Sequence, residues 1–502
     1  MAKRIRILAM IVMLLLGVVL VQAANVQFRQ ASKLANSPKN PRNIEARLAL
    51  GRGDILAGDG SILAHSDPTP KGVYKYQRIY PQGALMSSIV GFDSPIYGSY
   101  GIEAQYNSDL ITHKQPATTL SQILSPTTST DSVALTIQPA LQALAAKQLA
   151  GRDGAIVAIN PSTGAVEAMY GNPIYDPNPL VAPSAGAERL GWLAALTKNA
   201  AGFAPLTSIA YQDTFPPGST FKVITTTAAY QYRPDLANQS YPSVTQISLP
   251  NTDKTLQNYG GSQCGGTVAQ MLPPSCDTGY AQLGLDLGAN VMWTQAAQFG
   301  FDQRPPLDLP SVAISNFPTP AQLKVRQPFL AYGAIGQGDV TATALQNALN
   351  AAAIANAGVI MAPHLMREIR DNQNNLIKQF SPIPWKQATT PQVATQTSTL
   401  MQQVVTNGTA SAVGFLPQDQ VAAKTGTAQT SATNVNLKTD DWMIAFAPAN
   451  RPVIAIAVVL PNQVLDATGA SVAGPVMKCM IEGALALAAH QPLTNTATTC
   501  PG

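Results

Sequence analysis

The chain begins with a long apolar stretch. An uncharged run covers residues 7–24 and follows three basic residues, Lys3, Arg4 and Arg6. A membrane-spanning helix needs about 17–25 mostly apolar residues, and basic residues before it hold the N-terminus in the cytoplasm. The alternative is a cleaved signal peptide with a small-residue site ending at Ala23, but the apolar core of such peptides is usually only about 7–15 residues long. The pattern therefore favours one uncleaved anchor, with residues 1–6 in the cytoplasm and the chain after residue 24 outside it.

Residues 25–131 carry weaker patterns. Residues 25–43 are polar and contain proline and asparagine, which predicts a stalk. Short apolar runs between turn residues follow, as in GRGDILAGDGSILAHS at 51–66, and they predict short strands. Residues 112–131 are rich in serine, threonine and proline without a sustained apolar period, which predicts a linker or surface excursion. Together these patterns predict a small first unit of short strands.

From residue 132 onward, strand and helix periods alternate. Residues 132–150 predict a strand followed by an amphipathic helix. Residues 153–171, DGAIVAINPSTGAVEAMYG, predict two strands around an Asn-Pro-Ser-Thr-Gly turn, and residues 442–460 predict a second hairpin. Alanine-rich helical stretches lie between them, such as residues 343–358. Strands at both ends with helices between them predict an α+β fold, in which an antiparallel sheet built from distant segments is flanked by helices.

Composition then excludes several classes of function. Charged residues make up 12% of the chain, hydrophobic residues make up 46%, and the formal net charge is +4. No dense stripe of lysine and arginine accompanies that charge, which argues against a nucleic-acid partner. The four histidines are scattered and no Cys-x-x-Cys pair occurs. The sequence therefore predicts no zinc site.

The four cysteines fit an oxidising compartment outside the cytoplasm. Four cysteines allow three disulfide pairings. Proximity along the chain favours Cys264 with Cys276 and Cys479 with Cys500. The alternative is four free thiols, which are less common outside the cytoplasm.

The stretch PPGSTFKVITTT, residues 216–227, raises the first question of chemistry. Two prolines and a glycine precede Ser219, so the residue can be interpreted as the N-cap of a new helix. The alternative interpretation is a nucleophile. Residues three apart share one face of a helix, so Lys222 can reach the Ser219 hydroxyl and act as its base when burial favours the neutral amine. A Ser-x-x-Lys pattern alone does not distinguish the two.

Two further stretches have similar features. Residues 273–284, PPSCDTGYAQLG, again put two prolines before a serine, Ser275, with Asp277 two residues later. Residues 421–431, VAAKTGTAQTS, put Gly426 inside a predicted strand, where glycine is unfavourable unless a ligand or another backbone comes close. Taken singly, Ser275 is a helix cap and Lys424 is a solvated lysine on a strand.

Ser-x-x-Lys, then Ser-x-(Asn or Asp), then Lys-Thr-Gly in this order resembles the three-part signature of penicillin-recognising acyl enzymes. The chain resembles a class B penicillin-binding protein, a D,D-transpeptidase of bacterial cell-wall synthesis, of the compact actinobacterial type. The segments RGDILAGDGSILA, RIYPQG, GIEAQYNSDL, AIGQGDVTATALQNALNAAAIANAG and VVTNGTA resemble further landmarks of that family. The resemblance extends from about residue 52 to about residue 475.

The resemblance implies a domain organisation. After the anchor at 7–24, residues 25–131 would form a smaller, irregular, β-rich non-catalytic domain for dimerisation or support, with its linker. Residues 132–490 would form the transpeptidase domain, with the fold shared by serine β-lactamases, and residues 491–502 a C-terminal tail.

The resemblance also implies roles in the acyl transfer. Ser219 would be acylated by the penultimate D-Ala of a stem peptide, which releases the terminal D-Ala. Lys222 would deprotonate Ser219, and Ser275 would relay the proton toward the leaving amine. The amides of Ser219 and Thr427 would form the oxyanion hole, and the reaction would need no metal and no cofactor.

Substrate binding would fall to the Lys-Thr-Gly segment. Lys424 and Thr425, with Gly426 and Thr427, would bind the terminal carboxylate that penicillin mimics. The implied partners are peptidoglycan stem peptides on a lipid-linked glycan, β-lactam antibiotics, and a polytopic glycan polymerase in the same membrane.

One position departs from the pattern, because Asp277 stands where most family members have asparagine. An ionised carboxylate only accepts hydrogen bonds, and near Lys222 it would favour the charged lysine and weaken it as a base. The sequence therefore predicts that Asp277 is protonated, or is turned away, or that the site uses a different proton arrangement.

Other functions remain open from the residues alone. A β-lactamase or a D,D-carboxypeptidase would share the acylation and hand the acyl group to water. A non-catalytic scaffold of a wall-synthesis complex would keep the fold without the chemistry, but the intact Ser219, Lys222, Ser275 and Lys424 argue against it.

Overall fold

The computed structural model describes residues 2–29, 51–69, 75–111, 113–114, 128–182, 184–429, 438–491, 493 and 500. Most of the predicted stalk, the predicted linker and the C-terminal tail lie outside these residues. The α-helices are Ala2–Ala24, Ser87–Val90, Gly101–Gln105, Asn107–Leu110, Pro139–Leu149, Ala185–Leu196, Lys222–Tyr232, Pro234–Asn238, Val268–Met271, Asp277–Gln298, Pro320–Val325, Gln327–Ala334, Ala344–Ala355, Pro391–Asn407 and Gly474–Ala488.

A five-stranded antiparallel sheet, called here the central sheet, organises the larger part of the chain. Its strands, in spatial order, are Val166–Asn172, Gly154–Ile159, Ile454–Val464, Lys438–Ala447 and Ala422–Gln429. Both predicted hairpins are present in it, and the strands Ile454–Val464 and Gly154–Ile159 join them. The Lys-Thr-Gly segment therefore lies on an edge strand of the sheet, with no further strand paired to its outer side among the described residues.

Helices cover both faces of the central sheet. All residues from Ile454 to Leu460 are buried, so neither face of that strand is open to solvent. The helix Ala344–Ala355 packs on this strand and its neighbours, and so does Gly474–Ala488, which also contacts Pro139–Leu149. The predicted α+β fold with an antiparallel sheet between helices is confirmed.

A second sheet of six strands, called here the N-terminal sheet, joins the two parts of the chain. Its strands, in spatial order, are Leu376–Gln379, Met366–Arg370, Ser132–Leu135, Ile55–Leu56, Ile62–Pro68 and Tyr76–Ile79. The first two come from the middle of the predicted transpeptidase domain, and the strand Ser132–Leu135 lies at the start of that domain. Hydrophobic burial thus continues across the predicted boundary at residue 131.

Shorter two-stranded ribbons complete the strands. They are Tyr241–Val244 with Cys264–Gly266, Gln246–Ser248 with Thr255–Gln257, Val359–Met361 with Pro384–Gln387, Asp93–Ser94 with Gly98–Ser99, and His113–Lys114 with Thr128–Ser129.

Three of the N-terminal landmarks meet in one buried ionic cluster. Glu103 is fully buried, and its carboxylate accepts from Arg52 Nη2 at 2.8 Å, from Arg78 Nε at 2.6 Å and from the Tyr80 hydroxyl at 3.1 Å. A carboxylate buried this deeply is costly unless charged partners and hydrogen bonds compensate it. The segments around residues 52, 78 and 103 therefore supply complementary parts of one structural site.

The N-terminal helix is the strongest candidate for a membrane span. Within Lys3–Gln27, the most apolar 18-residue window has a mean hydropathy of 2.8, and none of that window is buried. The segment Gly469–Ala488 is also long and apolar enough to span a membrane. Half of its most apolar window is buried, however, and its helix packs against the central sheet. Burial marks the second segment as a core element.

Candidate active site

Ser219 lies in a single tight turn in front of the Lys222 helix. The turn is a 3-10 helix, Gly218–Phe221, and the α-helix Lys222–Tyr232 continues from it. The expected role of Ser219 as a side-chain N-cap is wrong, because Pro217 occupies that position and no side-chain cap is formed. Tertiary hydrogen bonds hold the turn instead, from Gly218 N to Gly336 O at 2.9 Å and from Trp442 Nε1 to Pro216 O at 2.9 Å.

Lys222 is fully buried and points to the second motif. Its Nζ donates to Ser275 O at 2.7 Å, to Ser275 Oγ at 3.2 Å and to Asp277 Oδ1 at 2.6 Å. These contacts use the three hydrogens of an ammonium group. Among the described residues no hydrogen bond joins Lys222 to Ser219 Oγ. The resting geometry therefore directs Lys222 toward Ser275 and Asp277.

Asp277 is not turned away from the site, so that one of the three expectations for it is wrong. It is the first residue of the long helix Asp277–Gln298, where a carboxylate interacts favourably with the helix dipole. Its side chain is 18% exposed, while that of Lys222 is fully buried. The structure thus has a lysine–carboxylate pair between Lys222 and Asp277. An asparagine at position 277 would place a neutral amide there instead.

Ser275 precedes that helix in a left-handed backbone conformation. Its φ is 61°, and the N-cap is the next residue, Cys276. Two contacts support this turn: the disulfide between Cys264 and Cys276, and the hydrogen bond from Thr278 N to Asn258 Oδ1 at 2.9 Å. The ribbon around residues 241–266 therefore braces the wall of the cleft that carries Ser275.

Lys424 approaches Ser275 from the opposite wall. It is fully buried, and its Nζ donates to Ser275 Oγ at 2.8 Å and to Thr425 O at 2.9 Å. Ser275 Oγ therefore lies between two lysine side chains. The interpretation of Lys424 as a solvated strand lysine is wrong.

Gly426 lets the edge strand pass against the serine turn. A Cβ atom built at this position would lie 2.8 Å from Pro217 O and 2.9 Å from Thr220 Cγ2. Contacts below about 3 Å to a backbone atom force the chain to move. The predicted close approach at this glycine is therefore made by another segment of backbone.

Thr425 and Thr427 project from the other face of the strand. Thr425 Oγ1 hydrogen-bonds Thr409 Oγ1 at 2.6 Å, and Thr427 Oγ1 accepts from Gly469 N at 3.1 Å. A Cβ built on Gly218 would lie 3.0 Å from Thr427 O, so the backbone at Thr427 lies beside the serine turn. The amides of Ser219 and Thr427 belong to these two adjoining segments.

Burial sets the charge states of the two lysines. It lowers the pKa of Lys222, while the Asp277 carboxylate beside it raises that pKa in part. Burial lowers the pKa of Lys424 well below its usual range, and the nearby charge of Lys222 lowers it further. A lowered lysine pKa makes the neutral amine accessible, which is the form that can accept a proton.

Sequence reasoning missed several residues that line this site. They are Thr409 beside Thr425, Tyr280 whose ring lies 5.6 Å from Lys222 Nζ, Trp442 under the serine turn, and Asp441 opposite Thr427. Thr409 belongs to the VVTNGTA landmark, which was a usable signal. Tyr280 lies three residues after Asp277 on the same helix, which was also a usable signal. Trp442 and Asp441 depend on which strand pairs with the Lys-Thr-Gly segment, and no local pattern reports that pairing.

The comparisons with known proteins agree with this geometry. Residues 154–482 match the penicillin-binding protein transpeptidase domain, and residues 52–135 match the penicillin-binding protein A dimerisation domain. The chain is 34% identical to the peptidoglycan D,D-transpeptidase PbpA of Mycobacterium tuberculosis over 96% of its own length and 98% of that protein. The PbpA of Mycolicibacterium smegmatis is also 34% identical, over the same shares of the two chains.

Solved structures give the same result. The penicillin G acyl-enzyme complex of penicillin-binding protein A from M. tuberculosis superposes with a TM-score of 0.76 at 33% identity, covering 87% of this chain and all of that one. An extensive match in sequence, domain order and fold cannot come from the three short motifs alone. The chain therefore belongs to the class B penicillin-binding proteins of actinobacterial type and is a serine peptidoglycan D,D-transpeptidase and β-lactam target.

Proposed function

We propose that Ser219 is the nucleophile of this transpeptidase and that Lys222 is its base. The observation that carries the proposal is the continuous polar contact from Lys222 Nζ through Ser275 Oγ to Lys424 Nζ, one turn from Ser219. Neutral Lys222 takes the proton of the Ser219 hydroxyl as its oxygen attacks the carbonyl carbon of the penultimate D-Ala. The amides of Ser219 and Thr427 stabilise the negative charge that develops on the carbonyl oxygen.

Collapse of this intermediate requires a proton on the leaving nitrogen. Ser275 Oγ gives its proton to that nitrogen and takes one from the Lys222 ammonium, which lies 3.2 Å away. The carbon–nitrogen bond breaks, the terminal D-Ala leaves, and Lys222 is neutral again. An amine of a second stem peptide then attacks the ester and loses its proton through the same residues in reverse.

We further propose that Lys424 and the threonines of the Lys-Thr-Gly segment bind the terminal carboxylate of the donor peptide. Thr425 and Thr427 supply hydroxyls on an edge strand, with Gly426 between them. Lys424, whose Nζ contacts Ser275 Oγ, supplies positive charge next to them. A β-lactam carboxylate would use the same groups.

Peptide mapping after incubation with labelled penicillin tests the assignment. We expect one long-lived adduct, on the peptide that contains Ser219, and no adduct on the Ser219→Ala variant. An adduct elsewhere would remove Ser219 as the nucleophile. Rapid loss of the label would instead favour transfer to water, as in a β-lactamase or a carboxypeptidase, and a folded wild-type protein without label would favour a scaffold.

We propose that residues 7–24 hold the protein in the cell membrane as a single pass, with residues 1–6 in the cytoplasm and the catalytic part outside. The unburied apolar helix and its basic flank support this topology. Protease added to intact spheroplasts should digest the catalytic part. Protection of that part until the membrane is broken would contradict the proposed orientation.

The lipid-linked glycan that carries the stem peptides leads us to propose a polytopic glycan polymerase in the same membrane as a partner. Joint elution of the two proteins from mild detergent, lost when residues 2–29 are replaced by an unrelated anchor, would support this. Joint elution that survives the replacement would exclude contact through the helix.

A further inference from the structure

Asp441 lies behind the hydroxyl of Thr427. It is directly opposite Thr427 in the antiparallel ladder between Lys438–Ala447 and Ala422–Gln429. Opposed residues of an antiparallel pair project from the same face. Asp441 is fully buried, and within the described chain neither of its carboxylate oxygens receives a hydrogen bond of ordinary geometry. A buried carboxyl group in this state is costly and calls for an explanation.

The Thr427 hydroxyl can donate only one hydrogen bond. Its oxygen already accepts from Gly469 N at 3.1 Å, and a hydroxyl has a single hydrogen to donate. Thr427 is partly exposed to the cleft, while Asp441 is sealed behind it. The hydrogen therefore has two competing directions, toward the Asp441 carboxyl group or toward a carboxylate bound in the cleft.

We propose that Asp441 is a positioning residue that sets the direction of this hydrogen. The ionised Asp441 carboxylate draws the hydrogen of the Thr427 hydroxyl inward, away from a bound carboxylate. The protonated Asp441 carboxyl group releases the hydroxyl to the carboxylate of the donor peptide or of a β-lactam. The inference rests on the proposed carboxylate-binding role of Thr427 and deepens it, because binding then depends on the protonation of Asp441.

The environment of Asp441 favours protonation near neutral pH. Burial raises its pKa to about 7, the neighbouring charge of Asp440 acts in the same direction, and the hydroxyls of Thr427 and Thr439 oppose it. Burial also raises the pKa of Asp440 to about 6, although a hydrogen bond from Asn462 N to its carboxylate lowers that pKa in part.

The lysines on the described elements around these two carboxyl groups are Lys438 on the same strand, Lys424 and Lys478. Lys424 on the adjacent strand donates to Ser275, and Lys478 lies 3.9 Å from Glu482 on the helix Gly474–Ala488. The strand Ile454–Val464, the turn Gly469–Ala473, the helix Ala344–Ala355 and the serine turn Gly218–Phe221 contain no ionisable side chain.

The expected effect has a definite sign. With a pKa of about 7, Asp441 is mostly protonated at about pH 6 and mostly ionised at about pH 8, so its protonated fraction falls roughly tenfold across this interval. The ratio of the second-order acylation rate constant of the wild type to that of Asp441→Asn should fall by about the same factor. The change should appear in the dissociation constant of the non-covalent penicillin complex and not in the acylation rate constant, because Asp441 touches no reacting atom.

Acylation of the full chain by labelled penicillin at several pH values tests this. The matched control is Asp440→Asn. In this variant the second-order acylation rate constant should still fall with rising pH, but the fall should occur at lower pH, because a charge that raises the pKa of Asp441 has been removed. The methyl ester of the same penicillin lacks the anionic carboxylate. For this ester, the ratio of the acylation rate constants of the wild type and Asp441→Asn should not change with pH.

A second variant separates the inference from the role on which it rests. Thr427→Val leaves Asp441 in place. This variant should weaken penicillin binding and should remove the pH dependence of binding that is due to Asp441. It therefore tests the inference even if Asp441→Asn does not fold. If Thr427→Val weakens binding but retains the wild-type pH dependence, the inference is overturned and the role of Thr427 stands. If Thr427→Val binds penicillin as the wild type does, the proposed role of Thr427 itself is wrong.

Discussion

Replacing Lys222 with alanine is expected to lower the rate constant for acylation of Ser219 by labelled penicillin by about 10³-fold, or about 4 kcal/mol of activation free energy. Lys222 is the one basic side chain that contacts Ser275 from the helix that follows Ser219, and burial lowers its pKa toward the range where an amine accepts protons. Without it, the helix that follows Ser219 carries no amine side chain. Stopped-flow or quenched labelling with penicillin would measure the loss.

Lys222→Arg is the matched variant for this prediction. A guanidinium keeps the positive charge next to Asp277 but does not lose its proton in proteins. If Lys222 acts as a base, Lys222→Arg should be about as slow as Lys222→Ala, with an intact fold by thermal unfolding. Substantial acylation by the arginine variant would mean that charge alone is needed and would exclude the role of base.

Replacing Asp277 with asparagine is expected to move the acidic limb of the acylation profile to lower pH by about one unit or more. Asp277 Oδ1 lies 2.6 Å from Lys222 Nζ, and its charge raises the pKa of Lys222 against the effect of burial. Removing the carboxylate lowers the pKa of Lys222, so the neutral base is populated at lower pH. Below the wild-type limb, one unit corresponds to about tenfold faster acylation in the variant.

Acylation by labelled penicillin, measured across the pH range for both proteins, would test the shift. Asp286→Asn is a suitable control on the same helix, because Asp286 accepts from the Tyr241 hydroxyl at 3.1 Å and not from Lys222. This control should leave the limb unchanged. Superimposable profiles of the wild type and Asp277→Asn would show that the lysine–carboxylate pair does not tune the base.

Much of the catalytic cleft could be predicted from local patterns, because the chemistry restricts residue types at short spacings. Ser219 with Lys222, Ser275 with Asp277, and the Lys-Thr-Gly segment each lie within a few residues of one another. The two hairpins were also predictable, since both strands and the turn are contiguous in the chain. The proximity of cysteines favoured the two disulfides that the structure contains.

The remaining features depend on contacts between distant segments. Ser219 was expected to cap a helix from its residue type, yet the carbonyl of Gly336 and the indole of Trp442 hold the turn. The role of Asp441 becomes visible only when its strand is aligned with the Lys-Thr-Gly strand. Local propensity cannot report these contacts, because tertiary packing decides them.

The N-terminal sheet has a consequence for the order in which the protein is made. Strand Ser132–Leu135 pairs with Met366–Arg370, so one side of an early strand has no partner until more than two hundred further residues have been synthesised. An unpaired strand edge is a site for wrong pairing, and contacts across such a long separation form slowly. Folding of this protein should therefore be sensitive to translation pauses before residue 370. Variants of the late strand Met366–Arg370 that weaken this pairing should lower the yield of folded protein.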